Sequence, residues 1–364
     1  MPSRIKLTLF YGGMSSEHEV SLQSAASVLA VLDPKRYDVT PVGIDKEGRY
    51  FVNDYETLRA SSGPLPVVTH NSKPLDSVII NGHFALDTDV VFPMLHGPLY
   101  EDGCFQGMLE LAGVAYVGSG VLSSAMGMNK DIQRRVVCVD GIQSTRYRKL
   151  FWLNQHESLD DYCQQTVAEL GWPLFVKPCS LGSSVGIHKV HTMPELLNAI
   201  SDARRYDDEV LIEAAVNGRE IELAVLENSL PHALPKVSLP GEICVNHPDG
   251  FYSYAAKYLE SEQTLLEIPA RLNHTMILRL QQIAAEVFVR LKCRGMARVD
   301  FFVNDETGEI FFSEVNTLPG FTPISMYPKL WLHSGLEYAD LLDNLIELAM
   351  AHQQHKKQIV MHYQ

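Results

Sequence analysis

The 364-residue sequence has no long hydrophobic run, and none of its apolar stretches approaches the ~20 residues that a transmembrane helix requires. The apolar run that begins at Lys6 is also too short for a signal peptide. Basic residues are scarce: 30 Lys and Arg stand against 44 Asp and Glu, which leaves a formal net charge of −14. We therefore expect a cytoplasmic protein with no membrane or nucleic-acid partner, in which any phosphate site is local.

The cysteines lack the spacing of a metal site or a disulfide framework. All six are widely separated, with no Cys-x-x-Cys pair: Cys104, Cys138, Cys163, Cys179, Cys244 and Cys293. This scatter indicates reduced, buried thiols. The glycines after the first predicted strand, Gly12 and Gly13, do not form a Gly-x-Gly-x-x-Gly motif, so the sequence argues against a dinucleotide-dependent oxidoreductase.

The composition is that of an ordinary globular protein, 46% hydrophobic and 20% charged, and the length predicts two or three domains. The first hundred residues alternate strands and helices. Strands are predicted at Ile5–Tyr11, Tyr37–Ile44 and Asp89–Leu95, with an amphipathic helix after the first. This order predicts a Rossmann-like parallel sheet that ends near Gly118–Gly120.

Beyond residue 120 the pattern changes to short strands and helices, which indicates α+β modules. One continuous helix is expected over Ser123–Val139, and another begins at Met193. A long helix is expected over Ala270–Leu291, and a closing helix begins at Tyr338. The fold class is therefore α/β followed by α+β.

One candidate phosphate site follows the predicted strand Leu174–Lys177. The strand ends in a lysine and leads into the hydroxyl-rich loop Gly182–Gly186. An ammonium group and the backbone N–H groups of such a loop can bind a polyphosphate. Gly-Ser turns are also common between strands that bind nothing, so the loop alone does not decide between the two interpretations.

A second candidate site lies on a predicted hairpin around the turn Asp305–Gly308. If residues whose numbers sum to 614 face one another, Asp300 opposes Glu314 and Arg298 opposes Asn316. All four side chains then share one face of the sheet. Two carboxylates and an amide oxygen form a hard oxygen site of the kind that holds magnesium against phosphates.

Glu213 and Glu220 flank a predicted turn at Gly218. The two carboxylates fit either ordinary surface acids or acceptors for the N–H groups of adenine and the hydroxyls of ribose. Their spacing alone does not separate these alternatives.

Six segments resemble the D-alanine–D-alanine ligase family of the ATP-grasp superfamily, in the order of that family and at a spacing that fits it. They are FYGGMSSEHEVSL at 10–22, HGPLYEDGCFQGMLE at 96–110, FVKPCSLGSSVGIHKV at 175–190, GREIELAVL at 218–226, ARVDFF at 297–302 and EVNTLPGFTPISMYP at 314–328. The resemblance implies an ATP-grasp fold in three domains: a Rossmann-like domain (1–120), a central domain (121–213) and a C-terminal domain (214–364). It also implies ATP-dependent joining of two D-alanine molecules through a D-alanyl phosphate, in a homodimer.

The resemblance implies a set of residues for ATP and its metal ions. Those that match ATP-binding positions are Lys130, Lys177, Ser183, Ser184, Glu213, Glu220 and Lys257. Those that match the ligands of two Mg²⁺ or Mn²⁺ ions are Asp300, Glu314, which bridges them, and Asn316. Asn129 stands where the family usually has Asp before the lysine.

The resemblance also implies residues for the two amino acids and for catalysis. Those that match catalytic positions are Glu17, Ser183, Tyr258, Arg298 and the N–H of Gly320. Those that match substrate-binding positions are Glu17 and His96 for the first D-alanine, and Ser325 and Met326 for the second. Two alternatives remain. One is a D-alanine–D-lactate ligase, which Tyr258 disfavours, and the other is a non-catalytic nucleotide-binding module.

Overall fold

The computed structural model describes residues 3–151, 158–230, 232–245 and 264–359. Its first part is a six-stranded sheet in the order β4-β3-β2-β1-β7-β8, in which β1, β2, β7 and β8 are parallel. The elements are β1 (Ile5–Gly12), α1 (His18–Val31), β2 (Tyr37–Ile44), β3 (Tyr50–Val52), α2 (Tyr55–Arg59), β4 (Lys73–Leu75), β5 (Ile79–Ile80), β6 (His83–Phe84), β7 (Val90–Leu95), α3 (Cys104–Ala112) and β8 (Ala115–Tyr116). The predicted parallel βα arrangement is confirmed, and the antiparallel strands β3 and β4 extend it.

The second part contains an antiparallel sheet in the order β11-β10-β12-β9, with two of its helices packed against it. The elements are α4 (Val121–Met128), α5 (Lys130–Val137), a 3₁₀ turn (Cys138–Asp140), β9 (Tyr147–Phe151), α6 (Leu159–Leu170), β10 (Leu174–Pro178), β11 (His188–Val190), α7 (Met193–Ala203) and β12 (Glu209–Ala214). Apolar side chains from α6, α7 and the sheet form a separate core.

The third part is an antiparallel sheet in the order β16-β15-β13-β17-β18, with β14 paired to β13. The elements are β13 (Arg219–Leu226), β14 (Lys236–Val237), β15 (Gly241–Val245), β16 (Thr264–Glu267), α8 (His274–Arg290), β17 (Met296–Val303), β18 (Ile310–Asn316), α9 (Met326–His333) and α10 (Tyr338–Lys356). The predicted hairpin is confirmed as β17 and β18.

Two predicted helices differ from the structure. The single helix expected over Ser123–Val139 is wrong: the chain forms α4 and α5, which are separated at Asn129. The Asn129 backbone is extended, and its Oδ1 accepts a hydrogen bond from the N–H of Ile132 at 2.9 Å, so it caps a new helix. The helix expected from Ala270 begins later, at His274, because Asn273 caps it in the same way.

The last helix joins the end of the chain to its beginning. Apolar residues of α10 pack with those of α1, β7 and β8 in one core. Arg36 and Tyr37, at the start of β2, both bind the carboxylate of Asp343 on α10. These contacts hold the first sheet against the third part of the chain, and a cleft opens between them. Among the described residues, no helix is both long and apolar enough to span a bilayer.

The cap of α5 yields a test of stability. Asn129 Nδ2 donates to Glu209 Oε2 and to Ser180 Oγ, each at 3.1 Å. The Asn129→Asp variant keeps the oxygen that caps α5. Its new carboxylate faces the carboxylate of Glu209 in place of the hydrogen bond that Asn129 donates. We expect this variant to lose about 1–2 kcal/mol of unfolding free energy at neutral pH, measured by denaturant titration.

Asn273→Asp is the matched control. Asn273 caps α8 through an equal 2.9 Å bond but is exposed to solvent. We expect that variant to stay within about 0.5 kcal/mol of the native protein. Equal losses at both positions would contradict the proposed repulsion from Glu209.

Candidate active site

A cleft of about 570 Å³ lies where the loops after β1 and β7 meet the third sheet and the start of α9. Its lining contains ten of the residues singled out in the sequence: Glu17, His96, Lys130, Ser183, Arg298, Glu314, Asn316, Gly320, Ser325 and Met326. The first two come from the carboxyl-terminal edge of the parallel strands, the edge at which α/β sheets bind ligands. The other residues come from strands, loops and the first turns of α5 and α9 in the second and third parts of the chain, so the cleft depends on all three parts.

One face of the third sheet carries the predicted row of acids. Arg298 pairs with Asn316 and Asp300 with Glu314, as predicted from the hairpin register. On the other side of β17, Asp300 also pairs with Glu222 of β13. Three carboxylates therefore lie side by side on adjacent strands.

Arg298 offsets part of this negative charge. Its Nε and Nη2 each lie 2.8 Å from the carboxylate oxygens of Asp300, and Nε lies 3.1 Å from Glu222 Oε2. Burial opposes the charge on the guanidinium, yet the two carboxylates outweigh this effect and raise the pKa of Arg298 well above its ordinary value. Arg298 therefore remains a fixed cation in the cleft.

The donor set fits a hard divalent cation. Asp300, Glu314 and Asn316 offer carboxylate and amide oxygens on one face. Two cationic side chains already contact these carboxylates: Arg298 binds Asp300, and Lys130 Nζ lies 3.4 Å from Glu314 Oε2. No member of the set is a soft sulfur ligand, so the site suits Mg²⁺ or Mn²⁺.

A buried ion cluster lies beside this face. Lys177 binds one oxygen of Glu213, while Arg134 Nη1 donates to the other at 2.6 Å and Thr145 Oγ1 donates to it at 3.1 Å. Burial opposes ionisation of Glu213, but Arg134 and Lys177 lower its pKa to about 2. Glu213 is therefore an anion at neutral pH, and each of its two carboxylate oxygens contacts a cation.

The loop predicted to bind phosphate crosses the cleft. Ser183 Oγ donates to Glu17 Oε1, and Lys130 Nζ donates to the carbonyl of Leu181 at 2.7 Å. Ser183 and Ser184 have positive φ angles of 55° and 56°, a left-handed conformation that costs energy for residues other than glycine. The contacts with Glu17 and Lys130 help to hold the loop in this conformation.

His96 is buried beneath the cleft. Its Nδ1 lies 3.3 Å from Glu101 Oε1, and its Nε2 lies 3.3 Å from Ser24 Oγ. Ser24 Oγ also accepts the N–H of Phe321 at 3.2 Å, which ties His96 to the loop that contains Gly320. Burial opposes the charge on His96, but Glu101 and then Glu17 raise its pKa above 6.5.

The loop around Gly320 is packed against the start of α9. A Cβ on Gly320 would lie 2.9 Å from Ser325 Oγ, so this position has no room for a side chain. Ser325 precedes α9, and its hydroxyl accepts the N–H of Thr322 at 3.0 Å. No side chain caps α9, and its first residue, Met326, lines the cleft, so the N–H groups of Met326 and Tyr327 suit a carboxylate there.

The structure places the other predicted residues outside the lining of the cleft. Among the described residues these are Lys177, Ser184, Glu213, Glu220 and Asp300. Lys177 and Glu213 form the buried cluster described above, and Asp300 binds Arg298. Lys257 and Tyr258 lie outside the described residues. The individual roles of all these residues stay predictions.

Sequence reasoning missed four buried residues that contact the site: Ser24, Glu101, Arg134 and Glu222. Only Glu222 had a usable signal, because it alternates with Glu220 along a strand and therefore shares its face. The partners of Ser24 and Arg134 come from distant segments, and no local pattern predicts them. Glu101 lies only five residues after its partner His96, but no helical or strand periodicity places the two side chains together.

Two protein-family models match the chain. The model described as D-ala D-ala ligase N-terminus matches residues 6–119, and the model described as D-ala D-ala ligase C-terminus matches residues 136–347. The chain is 59% identical over 363 residues to a D-alanine–D-alanine ligase from Legionella pneumophila strain Corby, with all of both chains covered. It is 46% identical over 366 residues to D-alanine–D-alanine ligase A from Bradyrhizobium diazoefficiens, with 96% of each covered.

Solved structures give the same result. The D-alanine–D-alanine ligase from Coxiella burnetii superposes with a TM-score of 0.80 at 36% identity, over 98% of this chain and 96% of that one. VanG D-Ala:D-Ser ligase from Enterococcus faecalis superposes with a TM-score of 0.78 at 34% identity, over 95% of this chain and 100% of that one.

The fold and the matches define an ATP-dependent ligase with the ATP-grasp fold. Within that class, the chain belongs to the D-alanine–D-alanine ligase family.

The contact between His96 and Glu101 yields a pH prediction. The pKa of His96 is raised on folding, so its charge stabilises the native state below 6.5, and this contribution is lost as pH rises through the higher folded value. Glu101→Gln removes the main partner of the charge. We expect the His96 pKa to fall in that variant, measured by NMR titration of the ring.

As the pH is raised above 6.5, the same variant should lose less unfolding free energy than the native protein. Glu19→Gln is the control, because Glu19 is an exposed acid at the rim of the cleft that binds Lys46. If the pKa of His96 in Glu101→Gln equals that in the native protein, Glu101 does not determine this pKa.

Proposed function

We propose that this enzyme joins two D-alanine molecules with ATP, giving D-alanyl-D-alanine, ADP and phosphate for cell-wall precursor synthesis. The observation that carries this proposal is that one cleft contains the oxygen donors Glu314 and Asn316, a fixed arginine and a helix start suited to a carboxylate, with Asp300 paired to Glu314 on the neighbouring strand. The named relatives match over 96% to 100% of the chain, and their names identify D-alanine as the substrate proposed here.

The reaction has two steps. The carboxylate of the first D-alanine attacks the γ-phosphorus of ATP, which forms an acyl phosphate and releases ADP. The amine of the second D-alanine then attacks the acyl carbon and loses a proton. The tetrahedral intermediate that results expels phosphate. Negative charge develops on the phosphoryl oxygens and then on one carbonyl oxygen, so fixed positive groups accelerate both steps.

Lys130 and Lys177 are the proposed phosphate-binding lysines, and Ser183 and Ser184 lie in the loop that covers the γ-phosphate. Lys130 already holds this loop through the carbonyl of Leu181. ATP would draw the ammonium groups toward its phosphates, away from Glu314 and Glu213. Adenine and ribose are assigned to Glu213, Glu220 and Lys257.

Glu17 is proposed to bind the ammonium group of the first D-alanine, with His96 beneath the same substrate. The hydrogen bond from Ser183 orients the Glu17 carboxylate. Tyr258 is proposed to hydrogen-bond to Ser183 and so to help cover the substrate. Arg298 and the N–H of Gly320 are the groups proposed to stabilise the oxyanion of the tetrahedral intermediate. Ser325 and Met326, at the start of α9, would hold the carboxylate of the second D-alanine.

Asp300, Glu314 and Asn316 would hold two Mg²⁺ or Mn²⁺ ions, which supply the charge that neutralises the phosphate oxygens during transfer. Binding them would require Lys130 to release Glu314 and Arg298 to share Asp300.

We also propose three domains, residues 1–120, 121–213 and 214–364, each built on one of the three sheets. A homodimeric assembly and a cytoplasmic location are part of the same proposal and rest on the family.

A coupled assay tests the reaction. Purified protein with ATP, Mg²⁺ and D-alanine should release phosphate and form D-alanyl-D-alanine in equal amounts, identified by mass spectrometry. Phosphate release without dipeptide would contradict the proposal, and no release would indicate a nucleotide-binding module.

Competition among acceptors separates the substrate alternatives. With D-alanine, D-serine and D-lactate at equal concentration near neutral pH, we expect almost only D-alanyl-D-alanine. A dominant depsipeptide would instead identify a D-alanine–D-lactate ligase.

Glu314→Gln tests the metal assignment. The change removes a bridging charge but almost no volume, so the ligation rate should fall by at least roughly 10²-fold. Because Glu314 is partly exposed, we expect the unfolding free energy to stay within about 1 kcal/mol of the native value. Glu306→Gln, in the exposed turn of the same hairpin, is the control and should keep native turnover. Native turnover in Glu314→Gln at moderate Mg²⁺ would overturn the metal assignment.

A further inference from the structure

The strand that carries Glu314 is the outer strand of its sheet and contains an irregularity. In β18, Glu314 pairs with Asp300, but the next pair is Phe312 with Phe301, so Ser313 is left over as a bulge. Among the described residues, no strand of the sheet neighbours β18 on its outer side, where an isolated bridge joins Phe312 to Ser144. Backbone groups at a buried strand edge need other partners.

Helix α5 supplies these partners on both sides of Glu314. Arg134 Nε and Nη2 both donate to the carbonyl of Ser313 at 3.2 Å. Gln133 Oε1 accepts the N–H of Val315 at 2.7 Å. Both side chains are only 1% exposed, so water does not compete for these bonds.

These contacts fix the direction of the Glu314 side chain. The Ser313 carbonyl belongs to the planar peptide group before Glu314, and the Val315 N–H belongs to the one after it. Holding both peptide planes restricts the φ and ψ angles of Glu314, and therefore the direction of its Cα–Cβ bond. A carboxylate that must meet a metal ion depends on this direction.

Arg134 is itself held from its other end. Its Nη1 donates to Glu213 at 2.6 Å, and its guanidinium lies 5.3 Å from the centre of the Tyr147 ring. Glu213 also binds Lys177, so one guanidinium joins the second sheet to the strand of Glu314. Lys130, one helical turn before Arg134, contacts Glu314 from the same helix.

We propose that Arg134 and Gln133 are positioning residues for phosphoryl transfer. Arg134 holds the peptide group before Glu314 and Gln133 holds the one after it, and together they set the direction of the Glu314 side chain. This inference rests on the proposed role of Glu314 as a metal ligand. Among the described residues, neither side chain lines the cleft, and Arg134 binds Glu213 of the buried cluster beside it.

The decisive variant is Arg134→Lys. It keeps a positive charge for Glu213 but lacks the planar fork that reaches the Ser313 carbonyl at the same time. The measurement is the affinity of the ATP-bound protein for Mn²⁺, read from water proton relaxation without D-alanine, so that no turnover occurs. We expect a loss of affinity of about 10-fold, the usual scale for removing a residue that orients a metal ligand.

Arg135→Lys is the matched control. Arg135 follows Arg134 in α5, but its exposed side chain binds only Asp131 among the contacts described. We expect native Mn²⁺ affinity and native turnover in this variant. Native affinity in folded Arg134→Lys would overturn the inference.

A double variant tests the route of the effect. If Arg134 acts through Glu314, then Arg134→Lys should cause no further loss of Mn²⁺ affinity in a Glu314→Gln background. A persistent 10-fold loss in that background would overturn the inference. If the Glu314→Gln variant has native Mn²⁺ affinity, both the metal assignment and the inference are overturned. If Glu314→Gln loses Mn²⁺ affinity but Arg134→Lys does not, only the inference is overturned.

Gln133→Met tests the same mechanism if Arg134→Lys does not fold. It removes the acceptor for the Val315 N–H and leaves Arg134 in place. A similar loss of Mn²⁺ affinity in the folded variant supports positioning from α5, and native affinity overturns it.

Discussion

The antiparallel pairing of β17 with β18 places Asp300 beside Glu314 and Arg298 beside Asn316, and the remainder of the cleft is arranged around this face. Three adjacent strands contribute carboxylates there, including Glu222, and such a concentration of negative charge needs nearby cations. Arg298 supplies one from the same strand, and Lys130 supplies another from α5. The cations that stabilise this face in the free protein are also the groups expected to meet the phosphates of ATP.

The short helix α5 links the parts of the molecule that contribute to the cleft. Its first residue, Lys130, binds the loop that crosses the cleft, and Arg134 binds both Glu213 of the second sheet and the bulge in β18. A bulge is what makes this contact possible, because it frees the Ser313 carbonyl from the ladder. Because these contacts start from one rigid helix, they hold the second and third sheets at a defined separation.

Most of the regular structure could be predicted from the sequence because the apolar alternation is local. The bounds of β2 and the starts of α7 and α10 agree with expectation, and so does the hairpin register around Asp300 and Glu314. The helix expected across Asn129 was wrong because helical periodicity continues through the break. Hydrogen bonds from Asn129 to Ser180 and Glu209 favour the break, and both partners lie far away in the sequence.

The sequence by itself determined the donor chemistry of the site, since a two-residue alternation and one turn suffice to bring Asp300 and Glu314 onto one face. Only the tertiary structure decided which cations and hydroxyls meet these groups. Ser183 and Glu17 are 166 residues apart, and Arg134 and Ser313 are 179 apart. Such contacts depend on how separate sheets pack through their apolar cores, and that packing leaves no periodic signal near the polar residues it brings together.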